Sequence, residues 1–433
     1  MFNLHKFHIH WKHYLYINLR SMCVNISLDK LYSHVKRMNE QFMNAKEKEV
    51  KKALNNQSKE LIRVEKALAH LKQVEVLDTR QAWKVRYKLS EIIGISFFAM
   101  VGNANDPEDI ELFCRAHEGF LRKYFALENG IPSHDTIERA FSMVSPEYLQ
   151  SFQHRFNELM NTNEGEKVRK ILALDGKTQR GNGSDDQKAN HIVSAVDEDG
   201  FCLGEERVDD KSNEITAIPN LLDTLNIKGH IITTDAMGTQ RDIAKKIRQK
   251  KADYMLALKG NQGTLYEDVK LYFGEAGLLS KCEYYKTVQK ARGGVEKREY
   301  WQTEDIQWLS QKKDWAGLRS IAMTRNTITK NGVKTTEERY FISSLETNAK
   351  EIARAIRGHW MVESYHWHLD VTFREDADHT LNKQVAYNMN IMRKLALNLL
   401  KLLDVGRNRV SLAKKRFMIC CDPHKYFSQI LQL

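Results

Sequence analysis

Ile171-Leu172-Ala173-Leu174-Asp175-Gly176-Lys177 decides the reading of this chain. Four apolar residues end abruptly on an acid, a glycine and a base, which reads as a buried strand delivering a carboxylate to a loop. Working outward, His191 to Val196 and Phe201 to Arg207 read as strands joined by Asp197-Glu198-Asp199-Gly200, a hairpin signal. Ile215 to Leu225 is helical by its spacing, and His230 to Thr234 is a strand that stops at Asp235. Asp242 to Lys250 is a basic helix, and Tyr254 to Leu258 a strand ending in Lys259-Gly260-Asn261-Gln262. Leu265 to Phe273 is again helical. Three strands, helix, strand, helix, strand is the order of an α/β fold with a mixed sheet and flanking helices.

The flanks read differently. Residues 79–165 are helical in pattern, with Asp106-Pro107-Glu108-Asp109 suited to a first turn and Asn129-Gly130-Ile131-Pro132 to a tight turn. This predicts an all-α N-terminal domain, in which helix, turn and the short helix of Ile137, Phe141 and Val144 read either as a DNA-binding helix-turn-helix or as plain packing. Arg122, Lys123 and Arg139 are the phosphate contacts of the first alternative. Residues 1–78 read as a leader with a solvated amphipathic helix. Within a span of 166–405, residues 264–347 read as a β-rich insertion. Helical periodicity resumes from Asn348 through Val371 and again from Val385 to Leu403, and residues 406–433 read as a basic tail.

Composition narrows the classes. The 433 residues suggest two or three domains, and 42% hydrophobic content is enough for a sizeable core. With 5 Pro and 22 Gly the chain is neither collagen-like nor Pro/Gly-rich disorder. The longest apolar run, Ile92 to Val101, is too short to cross a bilayer, so no membrane partner is expected. No continuous apolar segment near the start resembles a secretory signal, and the six Cys form no C-x-x-C pair. A cytoplasmic protein with reduced thiols is expected. The net charge of +11 suits a nucleic-acid binder or a merely basic enzyme.

Three acids stand out. Asp175 and Asp235 each end a predicted buried strand, where α/β sheets place their sites. Paired carboxylates repel unless a cation lies between them, and hard oxygen ligands select Mg²⁺ or Mn²⁺. Each Asp alone could equally cap a turn. His359, Glu363, His366 and Asp370 lie at spacings of 4, 3 and 4 on one helix face. That stripe reads as a zinc site, as an amphipathic helix with local pairings, or as the source of a third metal-binding acid, Glu363. Lys259-Gly260-Asn261-Gln262, and Lys177 with Arg180, offer donors suited to a DNA backbone. No P-loop and no G-x-S-x-G motif occurs, which argues against an ATPase or a serine hydrolase.

Leu174-Asp175-Gly176-Lys177, Thr234-Asp235-Ala236, Leu258-Lys259-Gly260-Asn261-Gln262, His359-Trp360-Met361-Val362-Glu363-Ser364 and the run Leu369 to Asp376 occur in that order. Together they resemble the insertion-sequence transposases related to the H-repeat-associated proteins. Asn129 to Thr136 is similar to that family's N-terminal associated domain. The resemblance covers about residues 79–405. It implies a ribonuclease-H-like fold and a DDE triad at Asp175, Asp235 and Glu363 that binds two Mg²⁺ or Mn²⁺ ions. It further implies transposon-end and target double-stranded DNA as partners, a homo-oligomer on DNA, and a nucleoid-associated bacterial location. DNA contacts are expected at Lys177, Arg180, Lys259, Asn261, Gln262, Arg357 and His359. In the broader class a Tyr and an Arg precede the Glu and a base follows it by seven. Here those neighbourhoods hold Ile356, Arg357 and Asp370.

Overall fold

The computed structural model describes residue 78 and residues 80–431, apart from 161–168, 210–211, 292–293, 404 and 406–409. The leader helix read within residues 1–77 lies outside the described residues. After a short 3₁₀ turn come α1 (Leu89–Val101), α2 (Pro107–Ala116), α3 (Glu118–Leu121), α4 (His134–Met143) and α5 (Pro146–Met160), with no strand among the described residues there. α1 is apolar nearly all round and buried nearly all round. α2 begins as its sequence dictates, with Pro107 at the first position and the Asp106 side chain accepting the Asp109 N–H at 2.8 Å. α4 turns Ile137, Ala140 and Phe141 into the same core, while Arg139 bonds its own helix and Arg122 pairs with Glu118.

The sheet follows. Its strands are β1 (Ile171–Thr178), β2 (His191–Asp197) and β3 (Cys202–Val208). Then come α6 (Glu214–Thr224), β4 (Ile231–Thr234), α7 (Arg241–Gln249) and β5 (Asp253–Leu258). Helices α8 (Gly263–Gly274) and α9 (Ala276–Leu279) precede β6 (Glu283–Ala291), β7 (Gly294–Thr303), β8 (Ser320–Lys330) and β9 (Val333–Ser343). The chain closes with α10 (Ala349–Trp367), α11 (Lys383–Leu402), α12 (Leu412–Cys421) and α13 (Pro423–Leu431).

All nine strands form one mixed sheet in the order β3-β2-β1-β4-β5-β9-β8-β7-β6. β1 pairs antiparallel with β2 and parallel with β4, and β4 pairs parallel with β5. The β2–β3 hairpin turns at Gly200, whose φ of +81° suits a residue without Cβ. The β-rich stretch is not set apart from the sheet. It opens with two helices, and β9 then hydrogen-bonds along β5 from Met255↔Ser343 to Leu258↔Tyr340. The outer edge of β5 would otherwise present unpaired backbone groups, and β9 covers it.

Strand alternation divides the core. Leu172 and Leu174 of β1 face the layer of α6, α7 and α8, whereas Ala173 faces the helical domain. Ile171 packs under α10 with Ile231, Ile352 and Ile356. α11 is buried from Val385 to Leu400, so its polar side chains must find partners inside the protein. Asn388 donates to the Phe141 and Val144 carbonyls, Asn398 to the Cys202 carbonyl, and Lys394 to Ser194 Oγ at 2.8 Å. These bonds tie the helical domain to the sheet.

The described residues of the basic tail form α12 and α13. Ile419 and Phe427 enter the core, and Lys415 bonds the Leu400 and Leu403 carbonyls at the end of α11. Arg416 is fully buried and donates to the carbonyls of Met100, Ala104 and Thr372 and to Asn105 Oδ1. Its guanidinium lies 4.0 Å from the Phe373 ring centroid, and burial lowers its pKa to about 9. Replacing it strands four acceptors at once. Arg416→Met is expected to destabilise the protein by about 3 kcal/mol or more, read as a lowered urea midpoint.

Candidate active site

The two aspartates are brought together by register. The last parallel pair between β1 and β4 is Leu174↔Thr234, so Asp175 and Asp235 leave adjacent strands side by side. Neighbouring strands run about 4.8 Å apart, which sets the scale of their approach. β1 does not end at Leu174 as the sequence suggests. It continues to Thr178 paired with β2, and only its β4 side falls open after Leu174. Asp175 therefore sits on a rigid strand rather than in a loop.

α10 lies across these strands. At Gly358 a Cβ would come within 2.9 Å of Ile171 Cγ2, so the glycine permits close approach of helix to sheet. His359 Nδ1 meets Thr233 Oγ1 of β4 at 3.0 Å, and His366 Nδ1 lies 3.5 Å from Asp175 Oδ2 of β1. Glu363 lies between these two anchors in sequence and on their face of the helix. Asp175, Asp235 and Glu363 line one open cavity of about 490 Å³, together with Lys259, His359 and Trp360.

The electrostatics show crowded negative charge. Burial pushes the Asp175 carboxyl up to about 7, helped by the carboxylates of Glu214, Asp235 and Glu363. Asp235 Oδ1 accepts the N–H groups of Met237 and Gly238 at 2.9 and 3.1 Å, which fixes the loop that follows it. Glu214 is a neighbour that local sequence did not single out. It opens α6 and its Oε1 accepts from His191 Nε2 at 2.6 Å, while His191 Nδ1 meets Thr178 Oγ1 at 2.8 Å. This pair leaves no room for a side chain at position 176, where an added Cβ would collide with Glu214 Oε1 and His191 Nε2.

The remaining sequence candidates separate by role. Asn261 Nδ2 donates to the Ala236 carbonyl at 2.6 Å and Gln262 Nε2 to the Thr239 carbonyl at 2.8 Å, so both brace the loop after Asp235. Lys177 is only 11% exposed and pairs with Asp370, Glu375 and Asp376 at 2.7, 3.2 and 3.0 Å. Arg180 is 84% exposed, and Arg357 is also exposed. Burial lowers the His359 imidazole to about 4 and that of His366 to about 3, so both are neutral near pH 7. The four-residue stripe does not converge on one point, because Asp370 lies past α10 in a π-helical turn and turns to Lys177. Among the described residues, no three His, Cys, Asp or Glu side chains gather tightly enough to hold an ion alone.

The raised Asp175 pKa has a stability consequence in metal-free protein. The folded state holds that proton more tightly than the unfolded state, whose carboxyl titrates near 3.8. The associated stability is complete below about pH 4 and is lost as pH rises through about 7. In the presence of EDTA, Asp175→Asn should melt at a higher temperature than the wild type at pH 8. The gap, about 1–3 kcal/mol, should shrink at pH 5. Equal melting curves at both values would show that the carboxylate is not under this strain.

Comparison with known proteins agrees with the motif order. Residues 166–399 match the family described as Transposase DDE domain, and residues 68–157 match the family described as DDE_Tnp_1-associated. The Escherichia coli O157:H7 protein named "Putative transposase YncI" is 39% identical over 335 residues, covering 75% of this chain and 85% of that protein. The Escherichia coli K12 protein named "H repeat-associated putative transposase YhhI" is 38% identical over 333 residues, covering 75% of this chain and 87% of that protein. With the matching domain spanning more than half of its length, the chain belongs to the DDE transposase family.

Proposed function

We propose that this protein cuts the ends of its own insertion sequence and joins them to target DNA, with Asp175, Asp235 and Glu363 as the catalytic carboxylates. The observation that carries the reading is their shared cavity, reached from two adjacent strands and one crossing helix. The strand order β3-β2-β1-β4-β5, antiparallel then parallel, supports a ribonuclease-H-like core.

Three hard carboxylate groups bordering one cavity are the donor chemistry that Mg²⁺ or Mn²⁺ favours, and a cation there would offset the crowding that, with burial, raises the Asp175 pKa. Two such ions, when bound, supply activation of the attacking hydroxyl and stabilisation of the departing oxygen of the phosphodiester. The protein's own groups set the stage. Neutral His359 bonds Thr233 of β4 and neutral His366 lies against Asp175 of β1, so Glu363 is presented from a helix laid across both strands. Asn261 and Gln262 hold the Asp235 loop, and Lys177 holds the segment after α10 to β1. In this reading Lys259 at the cavity and the exposed Arg180 and Arg357 meet DNA phosphates, while Lys177 and His359 act as positioning groups. Because the attacking group is water or a DNA 3′-hydroxyl, which displaces the departing oxygen in line, no covalent enzyme intermediate is needed.

The test is cleavage of a plasmid carrying the DNA that flanks the gene. Wild-type protein should cut and join with Mg²⁺ or Mn²⁺ and stop with EDTA. Asp175→Ala, Asp235→Ala and Glu363→Ala should each lose activity by at least about 10³-fold while still binding DNA. Wild-type protein that binds but never cuts with either ion sinks the enzymatic reading, and cutting without joining reduces it to a nuclease.

A further inference from the structure

Beside the catalytic cavity lies a second, smaller pocket of about 20 Å³, lined in part by Arg298 of β7, Asn326 of β8, Arg339 of β9, and Arg357 and Trp360 of α10. Trp360, Ile356, Glu337 and Arg339 border both spaces, so the two adjoin. Arg298 is 7% exposed, and its Nη2 pairs with Glu296 Oε1 at 2.5 Å. Its Nε and Nη1 are buried without a hydrogen-bond partner. The guanidiniums of Arg298 and Arg339 lie 5.3 and 5.6 Å from the Trp360 ring centroid. Arg339 pairs with Glu337 at 2.8 Å, and Arg357 adds a third positive charge to the pocket wall.

Two buried guanidinium donors with no acceptor carry an uncompensated desolvation cost, and the natural relief is an anionic oxygen. We infer that this pocket receives one non-bridging oxygen of a DNA phosphodiester, held by Arg298 while the attached nucleotide lies in the catalytic cavity. The size selects this ligand. A space of about 20 Å³ takes a single water-sized group, not a free phosphate ion, whereas the adjoining 490 Å³ has room for the rest of the nucleotide. The guanidinium-backed Trp360 ring forms a wall shared by both spaces, and the donors come from the β-rich stretch that β9 fastens to β5. That stretch thus contributes directly to substrate positioning beside Glu363, three residues from Trp360. The inference rests on the proposed DNA chemistry but addresses a contact that the three acids do not make.

The experiment measures the salt dependence of binding by the full-length protein to a 40-bp duplex of arbitrary sequence. Arg298→Leu removes the donors, and Arg298→Leu with Glu296→Gln does so without leaving a buried carboxylate unpaired. Both should bind about 5–10-fold more weakly and lower the slope of log K against log salt by about 1. If the wild type binds but both variants keep its slope and folded spectrum, the inference is overturned and the pocket seats a structural water. If inorganic phosphate raises the melting temperature of the wild type but not of the variants, the pocket takes free anions and the DNA assignment fails. If the wild type shows no salt-dependent DNA binding at all, the proposed function falls together with this inference.

Discussion

The parallel pairing of β1 with β4, ending at Leu174↔Thr234, is the constraint from which the site follows. It places two carboxylates on neighbouring strands with the same offset, one residue past the last shared hydrogen-bonded pair. A shift of one residue would turn one of them into the opposite layer, because strand side chains alternate. Both faces of β1 are buried, and what differs between them is side-chain size: Leu172 and Leu174 fill one layer, while Ala173 on the other leaves room for the helical domain. The register that buries the core is therefore the register that assembles the acids.

Crowding acids beside a low-dielectric sheet carries an electrostatic cost, visible in the raised Asp175 pKa. The fold does not relieve it with a nearby lysine. Lys177, two residues away, is committed to Asp370, Glu375 and Asp376. Behind them Arg393 pairs with Asp378, extending the network into α11. A lysine turned toward Asp175 would compete with a metal ion for the same charge. Directing it to another set of acids leaves Asp175, Asp235 and Glu363 uncompensated and clamps the segment after α10 to β1. Arg374, with φ of +53°, makes the sharp bend that carries Glu375 inside.

The net charge of +11 divides in a similar way. Several of its cations are structural: Arg416 holds α12 to α1, Lys394 anchors α11 to β2, and Lys415 closes the end of α11. Others remain at the surface or around the cavity, where Lys259, Arg339 and Arg357 surround a negative centre. Total charge is thus a poor guide to a binding surface, whereas position relative to the cavity is a useful one. The buried cations were hard to distinguish in sequence because a lysine or arginine carries no local mark of the carbonyl or carboxylate it will meet.

The strand and helix succession from Ile171 to Phe273 was legible because it depends on periodicity and chain punctuation, both local properties. So were the three acids as candidates, since an acid closing an apolar run and an acid on a striped helix are visible without coordinates. What lay beyond sequence were the long-range pairings. The continuation of β1 past Asp175 depends on β2, the union of the β-rich stretch with the sheet depends on the open edge of β5, and the folded tail depends on carbonyls more than 300 residues before Arg416. The Glu214–His191 pair and the Arg298–Trp360 pocket likewise join residues distant in the chain. Sequence by itself determined which segments form elements and which carry acids. Tertiary structure alone decided which polar groups found partners and which remained open, because partner choice depends on distances set by packing rather than by order along the chain.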